Sequence, residues 1–136
     1  MIRMLVVTHG RLGEELVLAA RKILPESAQM DWISIGWEDD LGRATSMIED
    51  SVASLAARDG IIIVTDMLGG TPANVAMAFL EPGRVEVITG VNLPMLIKFN
   101  NLDEDVPLSA AAAMIAEKGM SHITVAGDLL ERGGGA

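Results

Sequence analysis

Short, continuous apolar runs alternate along the chain with longer stretches in which apolar residues recur at helical spacing. The first run, about Ile2 to Thr8, predicts a buried strand. Arg11 to Leu24 follows with Leu12, Leu16, Ala19, Ala20 and Ile23 in helical register, closed by Pro25. Met30 to Ile35 alternates loosely and reads as a second, more exposed strand. Glu38, Asp39 and Asp40 place acids at the positive end of the next helix dipole, and Leu41, Ala44, Ile48, Val52 and Leu55 form its apolar stripe. Asp59 and Gly60 turn the chain into Ile61–Thr65, the most continuously apolar and β-branched run, as expected of a central strand covered on both faces. A third helix is predicted from Pro72 to Leu80 and a fourth strand from Val85 to Thr89. Asn92 is placed to cap a helix whose first turn holds Pro94. After a polar loop, Asn100 to Asp105, an alanine-rich helix runs from Pro107 to Lys118 and stops at Gly119. His122 to Ala126 reads as a fifth strand. Residues 1–130 thus form a single domain, and 131–136 a flexible glycine-rich tail.

Strands alternating with helices predict an α/β fold built from βαβ units around a mostly parallel sheet. A chain of 136 residues is long enough to bury a real core. No apolar run approaches the roughly 18–20 residues needed to cross a membrane, and the apolar start runs into Thr8-His9-Gly10 instead of a small-residue cleavage site. Without cysteine there is neither a disulfide framework nor a thiolate zinc site. The net charge of −9 argues against a nucleic-acid partner, which requires a basic face. With two Trp, two Phe and no Tyr, platforms for stacking bases or sugars are poorly supplied.

In open α/β sheets ligands bind outside the carboxyl ends of the strands, where the strand order reverses. Three loops leave such ends: Thr8-His9-Gly10, Thr65 to Thr71, and Gly90 to Pro94. An order of 2-1-3-4 would make the first and third strands neighbours and set His9 beside Asp66. Gly69 and Gly70 free the backbone to approach an anion, and Thr71-Pro72 reads as N-cap and first helical residue, an arrangement suited to phosphate. Each of these residues has an ordinary structural use as turn former, cap or loop glycine. What singles them out is that they fall on one edge of the sheet. Other chemistries fit less well. The other histidine, His122, falls at the opposite end of its predicted strand, so His9 has no histidine or cysteine beside it for a metal site, and the glycines match neither a dinucleotide fingerprint nor a P-loop with its lysine. A receiver-type phospho-acceptor at Asp66 would need an acidic pair after the first strand, where Thr8-His9-Gly10 stands.

Taken together, Val7-Thr8-His9-Gly10, Thr65-Asp66-Met67-Leu68-Gly69-Gly70-Thr71-Pro72-Ala73-Asn74 and Gly90-Val91-Asn92-Leu93-Pro94-Met95-Leu96 resemble the mannose-type enzyme IIA domain of the bacterial phosphoenolpyruvate:sugar phosphotransferase system. The likeness covers nearly the whole chain, in family order and spacing. It implies an open, doubly wound sheet of order 2-1-3-4 with helices on both faces. It also implies a homodimer in which a C-terminal antiparallel strand, here His122 to Ala126, is exchanged onto the partner's sheet edge.

The resemblance further implies that His9 is the phosphorylated residue and that Asp66 orients its ring. Gly69, Gly70 and Thr71 would hold phosphoryl oxygens, with Thr8, Gly10 and Asn92 in support. The donor would be phosphorylated HPr and the acceptor a separate IIB protein serving sugar uptake, with no metal or other cofactor. Such a protein would be cytoplasmic and would meet a membrane only indirectly, through a permease complex. A regulatory module whose phosphorylation state controls partner proteins is the alternative. The phosphotransfer subunit of dihydroxyacetone kinase shares the fold but differs in both motifs. Thr71 departs from the serine common in relatives and keeps the hydroxyl.

Overall fold

The computed structural model describes residues 1–26, 29–55 and 59–132. Its elements run in the order β1 (Arg3–His9), α1 (Leu12–Ile23), β2 (Met30–Ile35), α2 (Leu41–Leu55), β3 (Ile61–Thr65), α3 (Thr71–Met77), β4 (Val85–Thr89), α4 (Leu93–Asn100), α5 (Leu108–Ser121) and α6 (Ala126–Arg132). The sheet is parallel, with strand order β2-β1-β3-β4.

Side chains alternate across a strand, so the continuous apolar runs of β1 and β3 supply two cores at once. Met4, Val6, Ile62 and Val64 point to one face and pack with α1, α4 and α5 through Val17, Leu96 and Ile115. Leu5, Val7, Ile61 and Ile63 point to the other and meet α2 and α3 through Ala44, Ile48, Val75 and Ala76. The open, doubly wound architecture with helices on both faces follows from that alternation.

Several local expectations are corrected. The buried face of α1 is Gly13, Val17 and Ala20, one position round from the stripe read in the sequence, while Leu12 and Ile23 are exposed. The cause is Gly13: a methyl group there would lie 3.0 Å from Val6 Cγ1, so the missing side chain lets the helix settle on β1. Helix α3 ends at Met77 and tightens into i→i+3 turns through Leu80. Helix α5 continues past Gly119 to Ser121. That glycine is a contact point and not a stop: an added Cβ would sit 2.7 Å from Met95 Cγ on α4. His122 to Ala126 forms no strand within the chain. His122 ends α5, and Ala126 opens α6, which extends through the first two residues of the expected tail; 133–136 lie outside the described residues. Among the described residues no helix is long and apolar enough to cross a membrane.

Candidate functional site

The register of the sheet determines which loops surround His9. On one side β1 pairs with β2, His9 opposite Ile35, and the Gly10 amide donates to the Ile35 carbonyl at 2.8 Å. On the other, Val7 lies opposite Thr65, which brings the residue after β3 level with the end of β1. Asp66 is that residue. Its Oδ2 accepts from the His9 backbone N–H at 2.8 Å and lies 2.8 Å from the ring Nδ1, while Oδ1 accepts from the Met67 N–H at 2.9 Å.

These bonds decide the protonation pattern. Burial pushes the Asp66 carboxyl up, but hydrogen bonds from the His9 backbone, the His9 ring and the Met67 amide outweigh it, and its pKa falls below the ordinary carboxylate value. Near neutral pH Asp66 is therefore an acceptor only, so Nδ1 carries the hydrogen and the lone pair of a neutral ring sits on Nε2. The side chain of His9 keeps 24% of its surface exposed and that of Asp66 11%. A nucleophile with an oriented, partly open ring is the chemistry this pair can support.

The two glycines of the β3–α3 loop serve different ends. Gly69 adopts φ +92°, which an L side chain resists, and has open space where a Cβ would go. Gly70 has an ordinary φ, but a Cβ there would lie 2.8 Å from His9 Cε1 and 3.5 Å from Nε2. Gly70, and not Thr71, is the N-cap of α3, and Thr71-Pro72 form its first turn. The helix start thus lies against the Nε2 side of the ring.

The expected supporting residues have definite partners. Thr8 is fully buried, and its hydroxyl accepts from the Gly13 N–H in the first turn of α1 at 2.7 Å. Gly10, at φ +53°, makes the bend after the histidine. Asn92 caps α4 as expected, accepting from Met95 N–H at 3.2 Å, and its amide donates to the Gly119 carbonyl of α5 at 3.0 Å. It therefore ties two helices together and makes no bond to His9.

One residue escaped the sequence reading. Trp37, in the loop after β2, stacks on His9 with ring centroids 5.1 Å apart and planes 15° from parallel. A large apolar side chain between Gly36 and three acids, just past a strand's carboxyl end, was the available signal. A cleft of about 480 Å³ lies at the opposite end of the sheet, lined by Met1, Ile2 and Phe99 among others, and His9 does not line it.

Comparison with known proteins bears on the family and the fold. The family model described as "PTS system fructose IIA component" matches residues 3–118. The PTS system mannose-specific EIIAB component of Escherichia coli (strain K12) is 32% identical over 127 residues, covering 90% of this chain and 38% of that protein, so the chain spans about two fifths of its relative's length. The PTS system fructose-specific EIIA component of Bacillus subtilis (strain 168) is 22% identical over 97% of this chain and 91% of its own. Among solved structures, the mannose/sorbose specific IIA subunit from Enterococcus faecalis superposes with a TM-score of 0.81 at 28% identity, covering 90% of this chain and 92% of that one. Component EIIA from Streptococcus agalactiae, at 20% identity, reaches 0.82 over 94% and 99% and supports the fold. Matched along most of its length by the family model, the chain belongs to the mannose- and fructose-type IIA components of the phosphotransferase system.

Proposed function

We propose that the protein is a phosphocarrier that takes a phosphoryl group from phospho-HPr on Nε2 of His9 and passes it to a IIB-type acceptor in sugar uptake. The observation that carries this reading is the 2.8 Å contact between His9 Nδ1 and an ionised Asp66, which leaves Nε2 as the nucleophilic nitrogen. As the Nε2–P bond forms, the N–P bond of the donor phosphohistidine breaks and its electron pair returns to the donor ring. The Nδ1 proton stays in place against Asp66, which offsets the positive charge that develops on the imidazole. Gly70 borders the Nε2 side, which supports a role for the backbone amides of Gly69 to Thr71 and the Thr71 hydroxyl in receiving phosphoryl oxygens. Transfer of this kind needs positioning and electrostatics more than additional reactive side chains. Incubation with phosphoenolpyruvate, enzyme I and HPr should label His9, and His9→Ala should remove the label; undiminished labelling of that variant would sink the assignment.

We also infer a homodimer. Ile123 and Val125 are about three-quarters and two-thirds exposed between α5 and α6, Leu129 and Leu130 are exposed on α6, and beyond the Glu81–Val85 bridge the outer edge of β4 pairs with no strand among the described residues. Both an unpaired strand edge and an apolar surface are normally covered. A second copy supplying residues 123–125 to the β4 edge would cover both.

A further inference from the structure

We propose that Trp37 is a positioning residue for His9, an inference that rests on the phosphocarrier reading. Asp66 fixes the ring through Nδ1 and Gly70 borders its Cε1 edge, but neither lies on a face of the imidazole. The torsion about the Cβ–Cγ bond of histidine has broad minima, so a ring held at one nitrogen can still rock. The indole of Trp37, nearly parallel to the imidazole at 5.1 Å, closes one face against that motion.

Trp37 is itself held in place. The Gly36 amide donates to Asp39 Oδ2 at 2.7 Å and the Asp39 amide donates to the Gly36 carbonyl at 3.1 Å, so the turn carrying the tryptophan is closed by reciprocal bonds. Asp39 is in turn paired with Arg43 of α2 at 3.1 Å. On the other side the indole runs beside Gly10, where a Cβ would be in ordinary contact with Trp37 Nε1 at 3.7 Å. A side chain that is 81% exposed has no part in the core, and among the described residues its ring stacks on the candidate nucleophile. As Nε2 bonds to phosphorus the imidazole gains positive charge, which the negative face of an indole attracts.

The test uses the full chain as wild type, Trp37→Ala and Trp37→Phe, with two phosphoryl donors. Phospho-HPr must dock. Phosphoramidate has no docking face, and its P–N bond breaks to release ammonia as the Nε2–P bond forms. Trp37→Ala should lower the maximal labelling rate by roughly tenfold with either donor, leave half-saturation by phospho-HPr unchanged and shift the His9 Cε1–H resonance. Trp37→Phe should restore most of the rate. Unaltered maximal rates, a change confined to half-saturation, or a Phe variant as slow as Ala would each overturn the proposal. If wild-type protein took no label from phospho-HPr, the carrier reading would fall, while the phosphoramidate rates would still decide the role of Trp37.

Discussion

At Asp66 a single oxygen, Oδ2, serves both the main chain and the ring of His9. An asparagine there has one carbonyl oxygen. If that oxygen faces His9, the amide group confronts the Met67 N–H, donor against donor. If the amide faces His9, Nδ1 must become the acceptor and Nε2 takes the hydrogen. Either orientation costs a bond, and the second removes the nucleophile. Asp66→Asn should therefore slow labelling on the order of 10²–10⁴-fold with the fold retained, measured as a single-turnover rate. The same residue gives a pH signature. Its folded pKa lies below the ordinary 3.8, so its stabilising contribution is complete above that value and is lost as the pH falls through the lower folded one. Wild-type urea midpoints should drop relative to Asp66→Asn across that acid range and hold a constant offset above it. At Gly70 the constraint is space. Gly70→Ala would put a methyl group 2.8 Å from His9 Cε1, and something must move. A displaced His9 ring resonance, slower labelling and a loss of about 1–3 kcal/mol are expected.

Helices α4 and α5 are joined by a close approach and a polar clasp. Gly119 brings the helices together at Met95, and Asn92 reaches from the start of α4 to the Gly119 carbonyl. Gly119→Ala would wedge them apart and should cost about 1–3 kcal/mol in urea denaturation. What the sequence made legible at this scale divides on physical lines. The strands stood out because β1 and β3 are apolar on both faces, and His9 with Asp66 stood out because both follow such strands. Helix faces were less legible, since α1 buries Gly13 against β1 and a glycine carries no hydrophobic signal. Thr71 is chemically a good cap, but Gly70 took the position because only a glycine clears the His9 ring. Trp37 is hard to read from the sequence because β2 alternates like an outer strand and its loop carries no glycine pair or histidine. Ile123 and Val125 look like a strand by alternation, yet in this chain the residues between α5 and α6 pair with no strand.

For the whole molecule, the candidate site and the uncovered apolar surface are built from different segments. The site occupies the carboxyl end, built from loops after β1, β2 and β3. The apolar residues of 123–125 and α6 form no part of the buried core. If a second copy covers them, Ile123→Glu with Val125→Glu should convert a dimer into a monomer in analytical ultracentrifugation while leaving the helical circular dichroism unchanged. A wild-type protein that stays monomeric at high micromolar concentration would refute the assembly.

Because the amide and the ring of His9 end on the same Asp66 oxygen, the candidate nucleophile is tied to the end of its own strand. Swinging the imidazole toward a partner would mean dragging the end of a buried strand with it. In the carrier reading His9 is a mooring post, not an arm. The travel needed to receive and hand on a phosphoryl group then falls to the partners, which must come to it one after the other and leave.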